Sequence, residues 1–208
     1  MLTVLGMPRN RTQRVLWMLE ELEAPYEIRL LKPRSEEARA INPAGKVPVL
    51  DDGGTLIPDS VAICQYLADK HDDLTYPAGT KERAYQDALT QFVVSDVDAL
   101  LWLLAKHKFV NPPEYRLEDI RRPVAFEFEQ AMARLDAYRG DKPFLAGDRM
   151  TVADLIFGHC ASWAETVKLP LPEGRLADFA HALLARPALK RARDKGDAAL
   201  AAQEPSQA

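Results

Sequence analysis

The chain has two cysteines in 208 residues, Cys64 and Cys160, too few for a disulfide framework, so a reducing, cytoplasmic setting is expected. It has no apolar run approaching the ~20 residues of a membrane span. Its opening, M-L-T-V-L-G, lacks the basic and apolar regions of a secretory leader, so no membrane association or export is expected. Charge of one sign is also missing. Lys and Arg number 27 against 31 Asp and Glu, without the basic excess that marks a nucleic-acid partner. The four histidines are scattered, and only His159 adjoins a cysteine. Neighbouring residues point to different sides of a helix, so that pair alone is a poor chelate and no metal site is expected. Dinucleotide, Walker A and H-E-x-x-H patterns are absent, and there is no internal repeat. The remaining 47% hydrophobic and 28% charged residues make an ordinary globular mixture rather than a disordered one.

What is present falls into two parts. In the first, Leu2, Val4 and Leu5 read as a strand that ends at Gly6 and Pro8. Val15, Met18, Leu19 and Leu22 then recur at helical spacing, with Glu20, Glu21 and Glu23 off that stripe and Pro25 as the stop. Tyr26, Ile28 and Leu30 alternate as a second strand. Residues 32–39 read as a loop or short helix. Val47, Val49 and Leu50 form a third strand, D-D-G-G at 51–54 a hairpin turn, and residues 55–57 a fourth strand. A helix opens at Asp59. The order β-α-β-α-β-β-α implies a mixed sheet with packed helices. Beyond residue 81 the periodicity is helical, over 82–107, 116–139, 151–167, 174–185 and 187–201. The predicted organisation is an α/β domain at 1–75, a linker at 76–81 and an all-α domain at 82–208.

Several residues carry chemistry by type and place. Asp59 and Ser60 open a helix, where they can cap it or help its free N–H groups hold a carboxylate. Val47–Pro48 puts a proline at a strand edge or bend. P-R-N-R-T at 8–12 sets two cations, an amide and a hydroxyl before a helix, an arrangement that favours an anion. Asn10 is also a good helix cap. Thr151 and Asp154 have the spacing of a capping box, which is a folding element. Cys64, beside Ile63, reads as a buried, inert thiol.

Four stretches, R-V-L-W-M-L-E-E-L with P-Y-E, N-P-A-G-K-V-P-V-L, P-D-S-V-A-I with Q-Y-L, and F-L-A-G-D-R-M-T-V-A-D-L, stand in an order that resembles the cytosolic glutathione S-transferases, of a bacterial, theta-like or related class. The resemblance covers essentially the whole chain. It implies a thioredoxin-like N-terminal domain, a C-terminal α-helical bundle and a homodimer. It implies glutathione as co-substrate, with a cis Val47–Pro48 bond and the Val47 backbone paired to the cysteinyl unit. The γ-glutamyl end would lie at Asp59 and Ser60, and Lys46 would reach the glycyl carboxylate. A small hydrophobic electrophile would sit near Trp102, Lys106 and Phe109, with His107 and Tyr115 close in sequence; Asp96 or Asp98 would approach a partner's glutathione.

The position that usually carries the catalytic serine, four residues before Arg14, is Asn10. That is a departure from the family pattern. An amide NH₂ can still donate to a thiolate but cannot act as an acid or base, with Thr12 as the nearest hydroxyl. The resemblance thus implies thiolate stabilisation and transfer. Glutathione-dependent disulfide or peroxide reduction, or a non-catalytic glutathione-binding module, are the alternatives.

Overall fold

The structure, a computed structural model, describes residues 1–169 and 171–203; the end of the expected second domain, 204–208, lies outside them. Two compact units divide the chain. Among the described residues, 1–75 and 185–203 form one, and those from 76 to 184 form the other.

The first unit is built on a four-stranded sheet in the order β2-β1-β3-β4. β1 (Leu2–Gly6) pairs parallel with β2 (Tyr26–Leu30) and antiparallel with β3 (Val49–Asp52), which continues through a hairpin into β4 (Thr55–Pro58). The third strand starts two residues later than its apolar pattern, because Pro48 has no N–H for the ladder. Alternation splits the sheet's side chains between two faces. Leu5 and Val49 pack with Leu31 and with Ala38 of α2 (Glu36–Ile41). Val4 and Leu50 point the other way, where α1 (Thr12–Glu21) and α3 (Ser60–His71) lie.

The last described helix, α9 (Pro187–Gln203), also packs here, against α1 and β2. The expected boundary placed it with the all-α domain. Helical periodicity shows that a segment is helical but not which partner its apolar face meets. Because α9 covers it, α1 is buried on nearly all sides. Glu20 and Glu21, expected on a polar face, lie beneath basic residues of α9 and of the segment that leads into it. Glu20 accepts from Arg191 Nε at 2.9 Å, Lys195 Nζ at 2.5 Å and Tyr26 Oη at 2.8 Å. Glu21 takes a two-point contact from Arg186, at 2.5 and 2.7 Å.

The second unit is helical. Lys81–Val110 is one continuous helix made of α4 (Lys81–Phe92), a π-helical turn Val93–Asp98, α5 (Ala99–Ala105) and a second π turn Lys106–Val110. By length and composition alone it is apolar enough to cross a membrane. Its residues Leu89, Val93, Val97 and Leu101 recur every fourth position and are buried, and the helix packs on α6 (Arg121–Arg139) and α7 (Val152–Thr166), as a bundle's core helix does. The segment expected as helix from 116 begins at Arg121, after single 3₁₀ turns at Pro113–Tyr115 and Glu118–Ile120. Pro123 explains the shift, since proline is tolerated in a helix's first turn and not in its interior. α7 is apolar almost all round and central, with α8 (Arg175–Leu184) packed on it. The expected linker is no free tether. Tyr76 is buried, its N–H donates to Gln86 Oε1 at 2.9 Å and its hydroxyl to Asp148 Oδ1 at 2.9 Å.

Candidate functional site

The register of the sheet brings three loops to one end. Leu5, near the end of β1, stands opposite Val49, the start of β3, and Val49 stands opposite Pro58, the end of β4. The loop 7–11, the Val47–Pro48 bond and the Asp59–Ser60 pair therefore leave the sheet together. One side chain ties two of them. Arg14, in the first turn of α1 and 1% exposed, donates from Nη1 to Ser60 Oγ at 3.3 Å.

Asn10 organises the first loop. Its Oδ1 accepts from the Thr12 N–H and from the Thr12 hydroxyl, both at 2.8 Å, and its carbonyl accepts from the Gln13 N–H at 2.9 Å. Two donors at Oδ1 fix which end of the amide accepts, so its NH₂ is the end left to donate. Thr12 is wholly buried. It lies so close to β1 that a Cβ at Gly6 would fall 2.3 Å from Thr12 Oγ1, so only glycine fits there. The hydroxyl proton of Thr12 is thus given to Asn10. Of the two expected cations, Arg9 is drawn to Asp197 of α9, at 3.0 Å in an exposed pair that is worth little energetically.

The second loop is held by Asn42. Its Oδ1 accepts from the Ala44 N–H at 3.1 Å, and its Nδ2 donates to the Lys46 carbonyl at 3.0 Å. The Val47–Pro48 peptide is cis. Pro48 is buried, Val47 packs against the Leu5 and Val49 cluster, and Lys46 is exposed.

At the third loop, Asp59 adopts φ 75° and ψ 124°, a conformation that costs a non-glycine residue ~1–3 kcal/mol and tends to persist at functional sites. Its Oδ1 accepts from Val61 N–H at 2.9 Å and Ala62 N–H at 3.2 Å, capping α3. Ser60 is 3% exposed. Below it, burial pushes the Cys64 thiol up to about 12, so this sulfur stays protonated and inert.

In the second unit, Trp102 lies on α5 and is half-buried. Lys106 opens the second π turn, also half-buried, and Phe109 on the same turn is exposed. His107 Nδ1 accepts from the Leu117 N–H at 2.9 Å, which puts any proton of the neutral ring on Nε2. Tyr115 is exposed. Asp96 meets Ser95 at the surface, whereas Asp98 is turned inward onto Cys160. Sequence reasoning missed that convergence, because the third group of the cluster Asp98, His159 and Cys160 comes from another helix. It also missed Arg14 as a site residue, since a helical arginine ordinarily reads as surface.

Comparison with known proteins also finds two domains along the chain. The model of the glutathione S-transferase N-terminal domain matches residues 6–75, and that of the glutathione S-transferase C-terminal domain matches 100–191. The glutathione S-transferase GstA of Escherichia coli O157:H7 is 30% identical over 174 residues, covering 78% of this chain and 81% of that protein. Human glutathione S-transferase theta-2B is 33% identical over 146 residues, 64% of this chain and 58% of that longer protein. Among solved structures, the theta class enzyme of Xanthomonas axonopodis pv. citri, crystallised with glutathione bound, superposes with a TM-score of 0.76 at 25% identity, over 92% of this chain and 96% of that one. With both domains matched in order and the fold shared along nearly its whole length, the chain belongs to the glutathione S-transferase family.

Proposed function

We propose that this protein binds glutathione at the shared end of the first unit's sheet and stabilises its thiolate for attack on a small hydrophobic electrophile. The observation that carries the proposal is the disposition of Asn10 in the loop after β1, whose oxygen is committed to Thr12 and whose NH₂ is left as the donor for the sulfur in this reading. A thiol of pKa ~8.5 is mostly protonated at neutral pH. A directed N–H donor and nearby positive charge favour its anion. Thr12 positions Asn10 and does not itself face the ligand. Arg14 adds a buried guanidinium beside Ser60.

The rest of the ligand follows the chemistry of the loops. The Ser60 hydroxyl accepts from Arg14, so its own proton is left to donate to the γ-glutamyl carboxylate. In the first turn of α3 the Val61 and Ala62 N–H groups go to Asp59, which leaves that of Ser60 for the same carboxylate. Asp59 spends one oxygen on its cap and keeps the other for the ammonium. Val47 offers backbone groups to the cysteinyl unit, and Lys46 meets the glycyl carboxylate. Pro48 shapes this turn of the backbone. Trp102, Lys106 and Phe109 belong to the electrophile's site in this proposal, and the working form is a cytoplasmic homodimer.

The test is a pH titration of the thiolate ultraviolet absorbance of bound glutathione, in the wild type and in Asn10→Ala. The expected result is a thiol pKa below that of free glutathione, rising back toward it in the variant. Binding with no shift in the wild type would overturn thiolate stabilisation, and glutathione-dependent reduction or simple glutathione binding would take its place.

A further inference from the structure

We propose that Asp98, His159 and Cys160 form a binding site for a divalent transition metal ion of the zinc type, within the second unit and independent of glutathione. A carboxylate oxygen, an imidazole nitrogen and a thiol sulfur from these residues lie within 4.8 Å of one another. Asp98 is 7% exposed and Cys160 is wholly buried, and the thiol donates to Asp98 Oδ1 at 3.7 Å. His159 is half-buried, with its ring edge-on to Trp163 at 6.3 Å between centroids.

Three features make this more than a chance meeting of side chains. The donor set is mixed oxygen, nitrogen and sulfur, which suits a borderline ion such as zinc or cobalt(II), whereas magnesium and calcium take oxygen ligands. The spacing is close to what a metal needs. Zinc holds its ligands at ~2.0–2.3 Å, so ligand atoms around it stand about 3.3–3.8 Å apart. The sulfur–oxygen pair has that separation already. The imidazole needs to close in by about 1.5 Å at most, which rotation of a half-buried ring can supply.

The third feature is the backbone. Neighbouring residues on α7 diverge by roughly 100° and make a poor chelate by themselves. The missing ligand comes from Asp98, the last residue of the π turn Val93–Asp98. One-turn π-helical bulges inside α-helices recur at functional sites. On binding, the ion displaces the Cys160 thiol proton, now shared with Asp98, to solvent, and the carboxylate exchanges that hydrogen bond for coordination. Three protein ligands leave a fourth position open.

The test uses the full chain, freed of metal by a chelator and titrated with cobalt(II) alone under reducing conditions. A thiolate-to-cobalt charge-transfer band saturating at one equivalent is expected. It should vanish in Cys160→Ser and persist in Cys64→Ser. His159→Ala, at a half-buried position, should weaken cobalt binding by about tenfold or more. Zinc should displace cobalt and raise the unfolding temperature of the wild type above that of His159→Ala. No band at saturating cobalt, a cobalt affinity unchanged in His159→Ala, or a band lost in Cys64→Ser instead would each overturn the assignment.

Discussion

Asp154 shows how much one buried carboxyl can be asked to do. Its Oδ1 accepts from the Leu145 N–H at 2.7 Å, and its Oδ2 from the Thr151 N–H at 2.7 Å and the Thr151 hydroxyl at 3.0 Å. Thr151 and Asp154 close a capping box on α7, as their spacing in the sequence predicts. Burial pushes the carboxyl up from 3.8 to about 6, against the opposing pull of those hydrogen bonds. A carboxyl raised on folding holds its proton more tightly in the folded state. Its contribution is therefore complete below pH 3.8 and is lost as pH rises through about 6. Asp154→Asn replaces one acceptor oxygen by an NH₂ that must face an N–H, and should cost about 2–3 kcal/mol. Denaturant unfolding followed against pH should show that cost and a flatter profile across the same window. Asn10 is less legible than Asp154. Residue type alone gives both a cap and a donor. The sequence does not show that the oxygen caps and the nitrogen does not, because that depends on how Thr12 packs against Gly6.

At the scale of the element, α1 departs most from its pattern. Its apolar stripe is real, yet Glu20, predicted to face solvent, has a side chain only 6% exposed. Burial alone would raise the Glu20 carboxyl, but hydrogen bonds from Lys195, Arg191 and Tyr26 outweigh it and hold the group below its usual 4.5. A depressed carboxyl stabilises the fold above its unfolded value and loses that contribution as pH falls through the folded one. The wild type should therefore lose stability on acidification below about pH 4.5. Glu20→Gln should be less stable at neutral pH by about 1–2 kcal/mol and should lose less on acidification. The figure is modest because Arg191 and Lys195 are half-exposed and return to water when released. Thermal unfolding of both proteins between pH 3 and 7 measures the difference. The strands, by contrast, were legible to within two residues, since alternation and a glycine turn are local signals; of the D-D-G-G segment expected as the turn, Asp51 and Asp52 extend β3 and only Gly53 and Gly54 turn.

Across the whole molecule, order and type of the elements could be read from periodicity, and the unit that α9 packs with could not. α9 and the residue before it join the first unit through Arg186, Arg191 and Lys195, more than a hundred and sixty residues from the glutamates they meet. It also supports the proposed glutathione site. Gly196 lies so near the loop before α1 that a Cβ there would stand 2.6 Å from Pro8 Cβ, and Asp197 holds Arg9. A chain ending at Leu184 should lose protection from amide hydrogen exchange throughout β1 and α1, because Leu16 and the two glutamates would lose their cover. Unchanged protection there would show that α9 is an ornament to the unit and not part of its core.

The return of α9 bears on how the protein is made. A ribosome delivers β1 through α3 early and then spends roughly ten seconds on the residues of the second unit before α9 can appear. During that interval the first unit exists without its last wall, with an apolar face and two buried-to-be carboxylates open to water. The unit whose strands precede the second unit in the chain is thus completed only after it. The nascent chain carries an unfinished surface that a chaperone, or an idle second copy, can find before its own helix does.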